Sequence, residues 1–241
     1  MLSEQNKTQY RQTGLDNRMH RTINTSAIRG DLREQESMSR HTSWKTGGVA
    51  DYFYSPADID DLSVFISEVP MEMSIVWVGL GSNLLVRDGG ISGVVISVVG
   101  VLDKLEFING NEISIGAGVS CVKAARFAAK AGYGGIEFLA GIPGSIGGAL
   151  AMNAGAYGGE IWRNIKRVET INRKGERKIY SKSHFEIGYR SVSIPKDEWF
   201  TACDIELKLS EKSIVTENIK KMLSERAEAQ PLGQLSCGSV F

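Results

Sequence analysis

The segment that most constrains the fold of this chain is residues 139–158, LAGIPGSIGGALAMNAGAYG, in which small residues alternate with single bulky apolar ones. Its glycines are too dense for an amphipathic helix or an ordinary strand. Because glycine has no Cβ and tolerates positive φ, such a run lets the backbone lie directly against a flat or anionic group. We interpret the segment as a backbone cradle for a large planar or phosphorylated cofactor. A close contact between two core elements is the alternative.

The composition is that of a globular protein without a strong electrostatic field. The 241 residues are 42% hydrophobic, and 28 basic residues balance 28 acidic ones. This balance argues against nucleic acid or an anionic membrane as a partner, and no apolar run reaches the roughly 20 residues of a membrane span. The three cysteines and three histidines are scattered, so we predict neither disulfides nor a metal site. We expect a cytoplasmic protein, and a monomer.

The hydrophobic pattern predicts a mixture of strands and helices, which is an α+β fold. Residues 1–26 are polar and predict a mobile tail, and the sparse apolar residues of 27–38 are compatible with one short helix. The Asn109-Gly110-Asn111 sequence predicts a hairpin between strands at 104–108 and 112–115. The other predicted strands are 49–54, 74–80, 91–99, 165–171, 177–180 and 200–209; the other predicted helices are 55–69, 120–131 and 213–229.

Two glycine turns follow predicted strands. In Gly79-Leu80-Gly81-Ser82-Asn83 the backbone amides, the Ser82 hydroxyl and the Asn83 amide could hold the oxygens of a pyrophosphate. The Rossmann fingerprint fails here because Leu84 replaces the third glycine, and residues 116–121 form a second near-match. Either turn alone could be an ordinary tight turn. Together with residues 139–158 they favour a cofactor that contains a nucleotide.

Two further places could carry chemistry. Tyr189-Arg190 could place a guanidinium over an apolar floor, although a surface arginine stacked on a tyrosine is the default for such a pair. Gly238-Ser239 offers a hydroxyl beside a flexible glycine, and by sequence alone an ordinary loop serine is the favoured interpretation. The chain has no GxSxG elbow to support a hydrolase.

Five ordered motifs resemble the UDP-N-acetylenolpyruvoylglucosamine reductase family, the flavoenzymes that complete UDP-N-acetylmuramic acid for bacterial peptidoglycan. The motifs are HTSWKTGG at 41–48, GLGSNLLV at 79–86, residues 140–158, GYRSVS at 188–193 and CGSVF at 237–241. The resemblance runs from about residue 28 to the last residue and matches a shorter branch of the family. It implies an FAD-binding fold of the vanillyl-alcohol oxidase (PCMH) type, with two α+β subdomains and FAD between them, and not a Rossmann fold.

The resemblance also implies roles for individual residues. Arg190 matches the arginine that holds the substrate carboxylate, with Tyr189 beside it, and Ser239 matches the serine that gives the proton. Arg226 matches an arginine near the flavin. The pyrophosphate turn is matched by Gly79, Gly81, Ser82 and Asn83. The flavin-facing segment is matched by Gly141, Ile142, Gly144, Ser145, Gly147 and Asn153.

The domain organisation that the resemblance implies is incomplete in this chain. We expect an FAD-binding domain at 27–211, divided near residue 100, and then a helix and the start of a truncated substrate-binding domain at 212–241. That domain carries a glutamate that stabilises the enol intermediate in the family, and no residue here matches it. We therefore expect either a fragment or a truncated gene product.

Three functions are compatible with these residues. The first is reduction of UDP-N-acetylglucosamine enolpyruvate, with non-covalent FAD reduced by NADPH, which then leaves the site to the sugar nucleotide. The second is a catalytically incomplete FAD-binding remnant with at most NADPH oxidase activity. The third is an oxidase that uses molecular oxygen on the same fold. Such an oxidase usually holds its flavin through a histidine, and no histidine lies in the flavin segments.

Overall fold

The computed structural model describes residues 23–229 and 235, which form two β-sheets with helices packed around them. The strands are β1 (Asp31–Ser37), β2 (Val49–Ser55), β3 (Ile75–Val78), β4 (Ile91–Ser97), β5 (Leu105–Asn109), β6 (Glu112–Gly116), β7 (Tyr133–Gly134), β8 (Gly155–Ala156), β9 (Gly159–Glu160), β10 (Ile165–Asn172), β11 (Arg177–Ser181), β12 (Ile187–Gly188), β13 (Ser191–Val192), β14 (Glu198–Glu206) and β15 (Lys208–Leu209). The helices are α1 (Ile59–Glu68), α2 (Cys121–Lys130), α3 (Ile146–Ala151) and α4 (Lys212–Ala229), with 3-10 turns at Met38–Arg40, Glu137–Gly141, Ile161–Arg163 and Lys182–His184.

The first sheet has four strands in the order β1-β2-β4-β3. Strand β1 runs antiparallel to β2, whereas β2 and β3 both run parallel to β4, with α1 between β2 and β3 in the chain. The helix predicted at 27–38 is wrong, because most of that segment is β1. Its apolar residues are too few to establish either a helical or a strand periodicity, so pairing with β2 determines its conformation.

The second sheet has five antiparallel strands in the order β11-β10-β14-β6-β5. The hairpin predicted at Asn109-Gly110-Asn111 is confirmed as the link between β5 and β6, and Gly110 takes the positive φ that this turn needs. Three two-stranded ribbons, β8-β9, β12-β13 and β7-β15, lie outside the two sheets. All strands of the first sheet precede residue 100 and all strands of the second follow it; the ends of the predicted domains stay a prediction.

Three helical predictions need correction. Helix α1 begins at Ile59 rather than at Ser55-Pro56, because the side chain of Asp58 caps it by accepting from Asp61 N at 2.9 Å. Residues 139–158 do contain a helix, α3, whose Ser145 cap and buried apolar residues compensate for its glycines. Helix α4 begins at Lys212, one residue before its predicted start; its buried residues are Val215 and Ile219, and Ile214 is exposed.

The two sheets share a hydrophobic core. Side chains of α1 and β4 pack there with Ile171 of β10 and with Ala117, which follows β6. Ile23 is buried in the same core, so residues 23–26 belong to the folded part and not to the predicted mobile tail. Residues 1–22 lie outside the described residues. None of the helices within residues 23–229 is long and apolar enough to cross a membrane.

A buried carboxylate ties the N-terminal strand region to the start of α1. Asp61 is 1% exposed and accepts from Arg29 N at 2.6 Å, Ala57 N at 2.7 Å and the Tyr54 hydroxyl at 2.6 Å. Burial of Asp61 opposes its ionisation, but these hydrogen bonds and the nearby Arg29 charge lower the pKa of the carboxyl. Burial, together with the bond to Asp61, raises the pKa of Tyr54.

We expect Asp61→Asn to reduce the free energy of unfolding by about 2–3 kcal/mol, because the amide cannot accept from all three donors. The exposed Asp60→Asn change should cost less than about 1 kcal/mol. Since the pKa of Asp61 is lowered on folding, its contribution is full above the ordinary aspartate pKa of about 4 and is lost as the pH falls. Urea titrations at pH 7 and below pH 4 measure both effects; equal losses for the two variants would contradict the assignment.

Candidate functional site

A cleft of about 730 Å³ opens where the end of β3 faces residues 141–160. This volume is within the range of pockets that bind cofactors. Its lining includes Trp77, Gly79, Gly81, Ser82, Asn83, Gly141, Ile142, Gly144, Ser145, Asn153, Glu160, Arg163, Tyr189 and Arg190. The structure thus brings together residues from three of the five sequence motifs named above, 79–86, 140–158 and 188–193, and 107 positions separate Asn83 from Arg190.

The turn after β3 can adopt its conformation only because two of its residues lack a side chain. Gly81 has φ +67°, and a Cβ there would collide with the carbonyl oxygen of His41. A Cβ at Gly79 would collide with Oγ of Ser145. The turn is therefore pressed between the His41 backbone on one side and the start of α3 on the other.

Gly144 differs from these glycines because a Cβ there would make only ordinary van der Waals contacts. A Cβ there would come no closer than 3.7 Å to Ile142 Cγ2 and Ser82 Oγ, and its φ is not in the left-handed region. The protein itself does not require glycine at this position. A ligand lying against the bare backbone of the cleft would require it, which is how the sequence was interpreted.

The first turn of α3 is not a phosphate site, because its N–H groups already have partners. Ile146 N donates to Val119 O at 2.8 Å, Gly147 N to Ala117 O at 2.9 Å, and Gly148 N to Ser145 Oγ at 3.3 Å. Gly147 does not line the cleft, and its Cβ would lie 3.0 Å from Ala117 Cβ. The structure therefore shows Gly147 packed against Ala117, and its contact with flavin stays a prediction.

The second glycine turn is also structural. A Cβ at Gly116 would collide with the carbonyl oxygen of Leu102, and one at Gly118 with that of Val98. Neither residue lines the cleft. The tight-turn interpretation left open for residues 116–121 therefore holds.

Two buried polar atoms at the cleft lack a hydrogen-bond partner among the described residues, and they are Asn153 Oδ1 and Trp77 Nε1. Asn153 is 6% exposed and has φ +41°, and its amide nitrogen is held by Gly188 O at 3.1 Å. Both residues line the cleft, and because buried polar groups are nearly always paired, their unpartnered acceptor and donor are compatible with a ligand that carries both kinds of group. The chain's own residues therefore suit a polar cofactor here.

Arg190 places a positive charge at the mouth of the cleft. Its guanidinium donates a long hydrogen bond of 3.5 Å to Asn83 Oδ1 in the turn after β3. Its backbone has φ +52°, a conformation that a residue other than glycine or asparagine seldom adopts. Tyr189 beside it is 85% exposed, so it is available to a ligand and does not form part of a buried floor.

Two predicted site residues remain, Arg226 and Ser239. Arg226 lies on α4 and does not line the cleft, and Ser239 lies outside the described residues. The sequence interpretation missed Trp77 and Arg163, which both line the cleft; the position of Trp77 in the strand before the turn could have indicated it. Within residues 23–229 and 235, no three His, Cys, Asp or Glu side chains are grouped so that they could hold a metal ion.

Comparison with known proteins gives this cleft a context. A family model described as an FAD binding domain matches residues 50–180. The UDP-N-acetylenolpyruvoylglucosamine reductase of Alkalilimnicola ehrlichii is 46% identical over 212 residues, which are 88% of this chain and 71% of that protein. The enzyme of the same name from Nitrosococcus oceani is 46% identical over 219 residues, which are 91% and 74% of the two chains.

The chain belongs to the UDP-N-acetylenolpyruvoylglucosamine reductase family. With its FAD-binding domain it is a flavin-dependent oxidoreductase, and the resemblance drawn from the five motifs is confirmed. The solved structure of the Thermus caldophilus family member, MurB, has a TM-score of 0.74 at 27% identity and covers 88% of this chain and 73% of that one.

The predicted fold class is also confirmed. Cholesterol oxidase from Brevibacterium sterolicum has a TM-score of 0.56 at 16% identity and covers 77% of this chain and 39% of that one, in the crystal structure of its His121Ala mutant. At this identity the likeness concerns the fold alone. Together with the FAD binding domain model and the MurB structure, it shows that the chain has the α+β FAD-binding fold and not a Rossmann fold.

We expect Gly144→Val to abolish FAD binding while the protein stays folded, because the valine side chain would occupy the cleft and meet no backbone atom. The melting temperature without FAD should stay within about 4 °C of the wild type. The measurement is the flavin absorbance that remains with the protein after gel filtration. Gly89→Val is the matched control, since a Cβ at Gly89 meets nothing within 4 Å and Gly89 does not line the cleft. Full flavin retention in Gly144→Val would refute the cradle.

Proposed function

We propose that this protein reduces UDP-N-acetylglucosamine enolpyruvate to UDP-N-acetylmuramate in peptidoglycan precursor synthesis, with non-covalent FAD in the cleft and NADPH as the reductant. The observation that carries the proposal is the convergence of the Asn83 turn, the two unpartnered polar atoms and Arg190 on one cleft. The relatives named above are reductases of this substrate by name, and their likeness extends over about nine-tenths of this chain.

The cleft offers a way to hold the cofactor without a covalent bond. Neither histidine nor cysteine is among the described residues that line it. The Gly79–Asn83 turn would face the pyrophosphate, as the resemblance implies, and the bare backbone around Gly144 would lie against the ring system. Asn153 Oδ1 would accept from a cofactor N–H group. FAD bound in this way would take a hydride from NADPH and supply it to the vinyl carbon of the enolpyruvyl group.

Arg190 is the residue that we propose for charge stabilisation. The substrate carries a carboxylate beside the double bond, and hydride addition to that double bond places negative charge on the carboxylate side. A guanidinium fixed against Asn83 would bind the carboxylate and stabilise the developing enolate. One preorganised donor of this kind lowers the activation free energy of the reaction by about 3–4 kcal/mol. Tyr189, exposed beside it, would contact the same substrate.

Ser239 is proposed as the proton donor to the carbon next to the carboxylate, as the resemblance implies. A serine hydroxyl is a weak acid, so it can serve only beside a developing carbanion and with neighbours that accept the charge of the resulting alkoxide. Arg226, a residue of α4, would lie near the flavin. The same proposal makes the protein a cytoplasmic monomer that acts on a UDP-sugar and NADPH, without nucleic acid or membrane partners; the balanced charge of the chain supports it.

The proposal is tested in two half-reactions without oxygen. The yellow protein should lose its 450 nm absorbance with NADPH and regain it when the enolpyruvyl sugar nucleotide is added, with formation of UDP-N-acetylmuramate. Reoxidation by oxygen alone, with no reoxidation by the sugar nucleotide, would overturn the proposed reaction in favour of an NADPH oxidase.

We expect Arg190→Ala to leave FAD binding and reduction by NADPH unchanged, and to slow reoxidation by the sugar nucleotide at least 100-fold, because one charge-stabilising donor is lost. Stopped-flow absorbance separates the two steps. Arg167→Ala is the control, since Arg167 pairs with Asp204 on the second sheet and does not line the cleft. An equal rate of reoxidation in Arg190→Ala and wild type would refute the role of Arg190.

A further inference from the structure

One motif of the sequence, residues 41–48, has no part in the function proposed so far, yet it lies directly against the turn after β3. The His41 carbonyl oxygen occupies the space where a Cβ of Gly81 would stand. Ser43 N donates to Gly81 O at 3.0 Å. The backbone of residues 41–43 therefore determines where the turn lies.

The side chain of His41 is in turn held on two sides. Its ring stacks on Phe53 with the centroids 4.0 Å apart and the planes at 22°. Its Nε2 lies 2.9 Å from Oε1 of Glu36. His41 is therefore anchored to β1 through Glu36 and to β2 through Phe53, and its own carbonyl group supports the turn.

Glu36 is a buried carboxylate, only 7% exposed, and such a group is costly unless it is paired. The hydrogen bond with His41, aided by the Arg33 and Arg40 charges at 3.3 and 3.8 Å, lowers the pKa of Glu36. A hydrogen-bonded polar pair in a place that an apolar residue could fill contributes orientation rather than hydrophobic stability. Here the pair fixes the orientation of the His41 backbone.

We propose that Glu36 and His41 are positioning residues for the pyrophosphate of a dinucleotide cofactor. The pair fixes the His41 carbonyl, the carbonyl fixes Gly81, and Gly81 sets the backbone amides of the turn in the arrangement that receives the phosphates. Ordering these groups before binding removes a cost that binding would otherwise carry. This inference rests on the proposed function, in that it takes FAD as the ligand of the turn.

The proposed role concerns only the pyrophosphate part of the cofactor. It can therefore be tested by comparing the binding of ligands with and without a pyrophosphate. His41→Phe keeps a ring against Phe53 but removes the bond to Glu36, and we expect it to raise the dissociation constant for FAD at least tenfold. His41→Gln retains a donor for Glu36 and should restore part of that loss. Riboflavin has no pyrophosphate, so its affinity should be the same in all variants. Fluorescence titration of each ligand measures these affinities.

The control is Glu34→Gln on the same strand, because Glu34 is exposed and does not line the cleft. The ³¹P resonances of bound FAD give a second readout, and they should shift in His41→Phe and stay unchanged in Glu34→Gln. Glu36→Gln, which keeps the shape of the side chain and removes its charge, should raise the FAD dissociation constant at least threefold and serves if His41→Phe fails to fold.

Two results would overturn the role of the pair: FAD affinity within twofold of wild type in the folded variants, or a loss of FAD affinity without a change in the ³¹P resonances. A lower melting temperature together with an equal loss of riboflavin affinity would mean that the pair only stabilises the fold. Failure of the wild type itself to bind FAD would instead refute the proposed function, and this inference with it.

Discussion

The cleft exists because the two sheets are held at a fixed separation, and a nearly buried arginine provides much of that constraint. Arg173 follows β10 of the second sheet and is 9% exposed. Its guanidinium donates to the carbonyl oxygens of Pro70, Met71 and Met73 in the segment that leads into β3. Desolvation lowers the pKa of Arg173. Arg173 thereby gives the Met71 and Met73 carbonyl groups a donor at the joint between the sheets, while Pro70 O also accepts from Met73 N at 2.9 Å.

The joint also determines the direction of β3, and therefore the place of the turn that follows it. Trp77 of β3 stacks on Trp199 of β14 with the ring centroids 5.7 Å apart, so the first sheet leans on the second just before the turn. Arg190 reaches the same turn from the second sheet's side of the cleft. Because residues from both sides of the joint form the site, both sheets must be folded before the site can bind a ligand.

Much of this arrangement could be predicted from the sequence, because turn chemistry and apolar periods are local signals. The hairpin at Gly110, the helix α2 and the strands of the second sheet follow from such signals, and five ordered motifs identified the family. Strand β1 could not be predicted in this way, because its conformation comes from pairing with β2. The packing of Gly147 against Ala117 could not be predicted either, since a glycine required by a neighbouring side chain and one required by a cofactor have the same local pattern.

Asn153 and Trp77 have a consequence beyond the site itself. Each has a buried polar atom without a hydrogen-bond partner among the described residues, so the folded chain carries a desolvation cost that a bound ligand would offset. Any ligand that binds the folded state alone adds stability, by about 2.7 kcal/mol at a hundredfold excess over its dissociation constant. In a cell, where marginally stable chains are degraded more quickly, the amount of this protein would then follow the supply of flavin. The two unpartnered polar atoms of Asn153 and Trp77 would in this way make the lifetime of the protein depend on the cofactor.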